Sequence, residues 1–137
     1  MLTHSDIPSL GVTALRGALG AMFLSHGTAK LWVFTPAGTA TFFSSLGLPP
    51  ALAYVTIAAE LAGGAALVIG LKTRLVSLAL VPIIIGSIVL VHGANGFFFS
   101  NAGGGWEYPA FLAVALLVQA MLGDGKWSVS ARRASLD

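Results

Sequence analysis

The stretch LVSLALVPIIIGSIVLVHGA, residues 75–94, decides the class of this protein, because its twenty residues include no Asp, Glu, Lys or Arg. A helix needs roughly 20 mostly apolar residues to cross the hydrocarbon core of a bilayer. Three further stretches, at residues 10–33, 50–70 and 106–122, are also long and mostly apolar, although each contains one or two charged residues. The sequence therefore predicts an all-α integral membrane protein built as a four-transmembrane-helix bundle.

The composition excludes a soluble enzyme. Of the 137 residues, 56% are hydrophobic and 9% are charged, whereas a soluble domain carries roughly a quarter charged residues. We expect a single membrane domain over residues 1–137 that ends in a polar tail at 123–137, of which residues 126–137 either lie at the surface or are partly disordered. The absence of cysteine removes disulfides, iron–sulfur clusters and Cys-type zinc sites, and the small excess of basic residues does not indicate nucleic acid.

The ends of the predicted helices carry ordinary signals. The first helix follows Ser5-Asp6, with Pro8 in its first turn, where proline is tolerated. This N-terminus lacks the basic region of a secretory signal, so we expect a retained helix. The connector at residues 34–48 predicts a short interfacial helix. In the third span, Pro82 predicts a kink.

Basic residues predict the orientation. They lie in the loop between the second and third helices and in the tail, at Lys72, Arg74, Lys126, Arg132 and Arg133. The two loops on the other side contain no Lys or Arg, apart from Lys30 at the end of the first helix. By the positive-inside rule both termini of this multi-pass protein face the cytoplasm. Trp32, Trp106 and Tyr108 fall near the outer interface, where such aromatics are expected.

A set of ionisable residues lies within or at the ends of the predicted spans: Arg16, His26, Lys30, Glu60, His92 and Glu107. Each costs a few kcal/mol in a bilayer, so each is expected to face the bundle interior and to have a partner. With a rise of about 1.5 Å per residue, Glu60 lies near the midplane and the two histidines lie toward the outer side. The sequence therefore predicts a polar column from Arg16 through Glu60 to His26 and His92, with Lys30 and Glu107 near its outer edge.

The charged residues of this column have both functional and structural interpretations. Glu60 is either salt-bridged or neutral, and both states are typical of proton-handling sites. Arg16 either pairs with Glu60 inside the bundle and tunes it, or snorkels to the interface. Lys30 and Glu107 either line the mouth of a binding site or form an interfacial ion pair.

The two histidines lie at matching depths on different helices. They are either satisfied structural residues or members of a functional site. A bis-histidine haem is also conceivable, since imidazoles on facing helices can ligate iron, but it leaves Glu60 and Arg16 without a role. No motif predicts a metal site.

Several motifs, taken in order, resemble the DoxX family. They are Arg16-Gly17, FLSHGTAKL (23–31), FF (42–43), LGLP (46–49), ELAGG (60–64), GLKTR (70–74), HG (92–93), GGWEY (104–108) and GDGKWS (123–128). The resemblance implies a four-helix bacterial inner-membrane protein. The family is named after a small subunit of an archaeal thiosulfate:quinone oxidoreductase, and other members are linked to redox-defence complexes. Related animal sequences include membrane-protein chaperones and cargo receptors.

The resemblance and the column together predict a quinone-handling subunit of a membrane oxidoreductase. His26, His92 and Glu60 would handle the quinone and its protons, with Arg16, Lys30 and Glu107 tuning the site. Since no electron-transfer centre is evident in the sequence, whether the chain is itself an enzyme stays open and a partner protein is expected. One alternative is a non-catalytic adaptor or assembly factor, in which the polar column fixes helix register. A small-solute or proton carrier would require a homo-oligomer.

Overall fold

A computed structural model describes residues 6–130 of the chain. Its helices are α1 (Asp6–Trp32), α2 (Pro36–Ser45), α3 (Ala51–Ile69), α4 (Thr73–Ser87) and α5 (Glu107–Leu122). A π-helical turn (Ile88–His92) and a 3-10 turn (Gly93–Asn95) continue α4. The described residues contain no strand, so the predicted all-α class is confirmed.

Three helical segments are long and apolar enough to cross a membrane: Asp6–Trp32, Ala51–Ile69 and Thr73–Asn95. They make the chain a membrane protein. The fourth predicted span, α5, is an apolar helix of 16 residues. At about 1.5 Å per residue it is about 24 Å long, somewhat shorter than a hydrocarbon core of about 30 Å.

A ten-residue helix, α2, occupies the predicted connector between α1 and α3. It begins after Thr35, whose hydroxyl oxygen accepts a hydrogen bond from the Gly38 N–H at 3.1 Å. Pro36 occupies the first helical turn, where its missing N–H costs nothing. The α2 side chains Phe42 and Phe43 reach back toward the bundle and line its main cavity.

Helices α1 and α3 pack closely because glycines face each other across their interface. A Cβ atom added to Gly20 would lie 2.8 Å from the Gly64 carbonyl oxygen, and one added to Gly64 would lie 2.9 Å from the Gly20 carbonyl oxygen. Toward the end of α1, a Cβ on Gly27 would lie 2.8 Å from Leu61 and 3.3 Å from the Cβ of Glu60. Small residues of this kind allow membrane helices to approach closely, and here they place the end of α1 against the middle of α3.

The apolar core lies where α1, α3, α4 and α5 meet. Its buried members are Leu19, Phe23, Leu67, Leu80, Ile84, Leu112, Ala113, Ala115 and Leu116. Pro82 lies within α4 and removes the N–H that would bond to the carbonyl of the preceding turn. The kink expected there stays a prediction.

The segment after α5 corrects the expectation of a polar surface tail at 123–137. Residues 123–130, called the C-terminal clasp below, fold back onto the bundle. The Lys126 N–H donates to Thr13 Oγ1 at 2.7 Å, and the Ser130 N–H donates to the Gly70 carbonyl at 3.2 Å. Ser128 is fully buried, and Lys126 forms an ion pair with Asp6. The rest of the predicted tail, 131–137, lies outside the described residues.

Candidate functional site

The polar centre of the site is an ion pair between α1 and α3. Lys30 Nζ lies 2.9 Å from Glu60 Oε1 and 2.8 Å from Oε2, so the ammonium group bridges both carboxylate oxygens. Glu60 lies in the middle of α3 and is 3% exposed. Gly27 lies about one turn before Lys30, and because it has no side chain the two helices can approach each other closely at this level. A buried carboxylate is therefore paired at the depth where the sequence placed it.

Beside this ion pair lies a cavity of about 640 Å³. Most of its wall is apolar and comes from α2, α3, α4 and the π-helical turn. The residues with polar groups in its lining are His26, Lys30, Thr56, Glu60, Ser87, His92 and Tyr108. The structure thus brings four of the six predicted site residues to one cavity.

Some of the residues that line the cavity are also exposed on the outside of the bundle. Val55 on α3 and Leu90 on the π-helical turn both line it, and they are 61% and 43% exposed. Both belong to helices that are long and apolar enough to span a membrane. The cavity wall therefore borders the apolar outer surface of these two segments.

His92 is oriented by the loop that follows it. Its Nδ1 lies 2.8 Å from the Gly104 carbonyl oxygen. Asn95 Nδ2 donates to the carbonyls of Gly103 and Gly104 at 3.0 and 3.1 Å. His92 closes the π-helical turn, a feature frequent at functional sites.

His26 and Tyr108 form a second side of the site. Their rings are nearly parallel, at 17°, with centroids 6.4 Å apart. A smaller cavity of about 410 Å³, lined also by Met22 and Phe99, shares both residues. The Tyr108 hydroxyl is buried and has no hydrogen-bond partner among the described residues. The sequence analysis includes Tyr108 among the interfacial aromatics and in the GGWEY motif, but not among the site residues. Its position next to Glu107, a predicted site residue, is the feature of the sequence that could have indicated a role in the site.

The predicted pairing of Arg16 with Glu60 is wrong. Arg16 Nη1 donates to the Asp124 carbonyl at 2.7 Å, and Nη2 donates to the Lys126 carbonyl at 3.4 Å. The helices α1 and α3 are antiparallel, so Arg16 faces the end of α3, and a Cβ on Gly70 would collide with its guanidinium group. Arg16 lies roughly 21 Å before Lys30 along α1, and it holds the C-terminal clasp.

The predicted ion pair between Lys30 and Glu107 is also wrong, because Lys30 bonds to Glu60. Glu107 Oε1 instead accepts a hydrogen bond from the Phe99 N–H at 2.7 Å. The Glu107 N–H donates to the Phe97 carbonyl at 3.0 Å, and the Trp106 N–H donates to the Gly96 carbonyl at 3.0 Å. Glu107 therefore holds the loop that leads from the 3-10 turn to α5.

The described residues contain no group of three or more His, Cys, Asp or Glu side chains that could hold a metal ion.

The family model for DoxX matches residues 11–93, more than half of the chain. This chain belongs to the DoxX family. A Bacillus subtilis (strain 168) protein named "Putative oxidoreductase CatD" is 40% identical over 115 residues, which is 84% of this chain and 81% of that protein. No solved structure matches the chain. The range matched to DoxX contains His26, Lys30, Glu60 and His92, whereas Tyr108 and the C-terminal clasp lie beyond it.

Proposed function

We propose that this DoxX protein is a quinone-binding subunit that supports a membrane oxidoreductase. The observation that carries the proposal is the mostly apolar cavity of about 640 Å³, which has the buried Lys30–Glu60 pair in its wall. The oxidoreductase name of the Bacillus subtilis relative points to the same class of reaction.

A quinone needs three things from its site: an apolar slot, hydrogen-bonding groups at the ring oxygens and a group that exchanges protons. The apolar wall supplies the first. His26 and His92 lie in that wall as hydrogen-bonding groups. Glu60 serves as the proton carrier, and Lys30 stabilises its charged form by bonding both carboxylate oxygens.

The electrons come from a partner protein in this proposal. The sequence has no cysteine for an iron–sulfur cluster, and the described helices carry no nucleotide-binding fold. The cavity wall borders the apolar outer surface of the bundle, so in this proposal a lipid-soluble carrier reaches it from the bilayer. The partner then meets the protein at a surface outside the membrane.

We place the protein in the inner membrane with four spans and both termini in the cytoplasm. The Ser130 N–H bonds to Gly70 at the turn between α3 and α4, so α5 runs the length of the bundle back to that end. Lys72 and Arg74 lie at the same end, as the positive-inside rule requires of a cytoplasmic side. At the other end, Lys30 is engaged by Glu60.

A cavity-filling variant tests the quinone site directly. Gly86 lines the cavity, and a Cβ built there meets nothing within 4 Å, so Gly86→Leu fills the cavity without a backbone clash. Gly11 on α1 is equally free of neighbours but lies outside the cavity lining, so Gly11→Leu is the matched control. Each protein is purified in mild detergent and titrated with a short-chain ubiquinone and a short-chain menaquinone.

We expect the wild type and Gly11→Leu to bind one of the two quinones, and Gly86→Leu to bind it at least ten-fold more weakly. Equal binding by Gly86→Leu would place the quinone elsewhere and overturn the site. If the wild type binds neither quinone and copurifies with a partner protein, the quinone proposal is wrong and the adaptor function becomes the better explanation.

A further inference from the structure

His92 has a single hydrogen-bonded orientation. Its Nδ1 lies 2.8 Å from the Gly104 carbonyl oxygen. Because a carbonyl oxygen can only accept, Nδ1 must carry the hydrogen. In a neutral imidazole the other nitrogen, Nε2, then has a free lone pair and is an acceptor.

The loop fixes this arrangement from several sides. Asn95 Nδ2 donates to the carbonyls of Val91, Gly103 and Gly104 at 3.0 to 3.1 Å. Gly104 has a positive φ of 73°, and a Cβ there would lie 3.4 Å from the His92 ring, so the backbone is close to the imidazole. The carbonyl that selects the tautomer is therefore held in place independently of any ligand.

Nε2 is on the edge of the ring turned away from Gly104. His92 lines the main cavity, and no described residue hydrogen-bonds to Nε2, since the Gly104 contact is the one hydrogen bond of this ring within residues 6–130. The cavity thus has a preset hydrogen-bond acceptor in a mostly apolar wall.

A quinone and its hydroquinone differ in what they offer to such an acceptor. The hydroquinone hydroxyl donates a hydrogen bond, whereas the quinone carbonyl can only accept and would place its lone pair against that of Nε2. Glu60 adds a second acceptor, since its two oxygens already take the Lys30 ammonium and have no hydrogen to donate. Both groups favour a ligand that brings the hydrogen itself.

We propose that this site selects the reduced, hydroxyl-bearing form of its ring ligand, and that His92 Nε2 accepts the hydrogen bond which makes the distinction. Asn95 and Gly104 are positioning residues for this bond. The inference rests on the proposed quinone site. The expected preference is about ten-fold or more, because a ligand that leaves a buried polar group without its hydrogen-bond partner binds roughly ten-fold more weakly.

The test compares a short-chain hydroquinone with its dimethyl ether, which keeps the ring and both oxygens, lacks both donors and is larger by two methyl groups. The oxidised quinone is measured in parallel, all under anaerobic conditions. For the wild type we expect the hydroquinone to bind at least ten-fold more tightly than the ether and the quinone. In His92→Phe we expect this preference to shrink to what Glu60 alone provides. Val114 lies on an exposed face of α5 outside the cavity lining. The control variant Val114→Leu should therefore retain the full preference for the hydroquinone.

A second readout does not depend on the variants. Nitrogen-15 NMR of the wild-type imidazoles distinguishes the two tautomers, and we expect a His92 signal with the hydrogen on Nδ1 that shifts on adding the hydroquinone. A hydrogen on Nε2 would overturn the inference. Equal affinity for reduced and oxidised forms would also overturn it, while leaving the quinone site standing. If the wild type binds none of the three ligands, the proposed function itself is wrong and this inference fails with it.

Discussion

Lys30 and Glu60 join α1 to α3 by a two-point contact, with the ammonium nitrogen 2.8 and 2.9 Å from the two carboxylate oxygens. The two side chains are not equally buried, at 21% exposed for Lys30 and 5% for Glu60. Lys30 also lies in the last turn of its helix, whereas Glu60 is in mid-helix. The pair is therefore asymmetric. The Lys30 ammonium group can reach the end of the bundle, whereas the Glu60 carboxylate is enclosed within it.

This asymmetry predicts unequal effects of removing each partner. Lys30→Met leaves the Glu60 carboxylate buried and uncompensated, and we expect the free energy of unfolding to fall by about 3 kcal/mol or more. Glu60→Gln frees a lysine that can extend to the interface, so its loss should be about 1 kcal/mol. Thermal and denaturant unfolding in one detergent measure both.

The double variant Lys30→Met/Glu60→Gln is the control. If the contact is an ion pair, the double variant should be more stable than Lys30→Met alone, since no buried charge remains. A Glu60→Gln variant as damaged as Lys30→Met would contradict the asymmetry. Independently of stability, Glu60→Gln should abolish the quinone-dependent activity of the complex, and unchanged turnover would remove Glu60 from the mechanism.

The approach of α1 to α3 predicts a second outcome. A Cβ on Gly64 would lie 2.9 Å from both the Gly20 carbonyl oxygen and the Leu24 backbone nitrogen. Backbone atoms cannot give way without moving the helix, so Gly64→Ala should cost about 1–3 kcal/mol. Gly17→Ala is the matched control, because its Cβ meets nothing within 4 Å, and it should be neutral or stabilising by up to about 1 kcal/mol. Equal stabilities of the two variants would contradict the interface.

Helix positions were predictable from the sequence because bilayer thickness fixes the length of an apolar stretch. Helix rise predicted a column of polar residues that runs from Glu60 near the midplane to the two histidines and Lys30 on the outer side, and His26, Lys30, Glu60 and His92 do line one cavity. Depth along an axis does not specify which way a side chain points. Tyr108 reaches the same cavity from the start of α5, and only the packed structure shows it.

Two of the mispredicted contacts involve partners in loops. Arg16 was assigned to Glu60 because both are charged and lie within the spans, yet its partners are backbone carbonyls of the clasp. That clasp turns back at Gly123 and Gly125, which have positive φ angles of 90° and 67°. Glycine there indicates a turn, but no periodicity tells where the chain goes after it. The partner of Glu107 could not be predicted for the same reason, because Phe99 lies in an irregular loop.

We therefore expect Arg16 to stabilise the C-terminal clasp and to have no effect on ligand affinity. Arg16→Met removes the bonds to Asp124 and Lys126, and hydrogen bonds from a charged group contribute about 1.5–3 kcal/mol. We expect a loss of stability in that range and faster trypsin cleavage after Lys126, read by mass spectrometry. Quinone affinity should stay at the wild-type value.

Arg74→Met is the control for Arg16→Met, because Arg74 is exposed and makes one long bond of 3.4 Å to the Ala120 carbonyl. It should leave both stability and cleavage nearly unchanged. A fall in quinone affinity in Arg16→Met as large as that in Gly86→Leu would contradict the separation of clasp and cavity.

The orientation is open to a direct measurement, because the sequence contains no cysteine and a single introduced thiol is unambiguous. Ser45→Cys and Ser100→Cys lie at exposed positions toward one end of the bundle, and Arg74→Cys lies at an exposed position at the other. We expect a membrane-impermeant maleimide to label the two serine variants in intact cells, and to label Arg74→Cys only after permeabilisation, since basic loops stay in the cytoplasm. The Arg74→Cys variant retains Lys72, so it keeps a basic residue in the turn. The reverse pattern would make the proposed orientation wrong, and labelling of Ser45→Cys and Ser100→Cys from opposite sides would contradict the four-span arrangement.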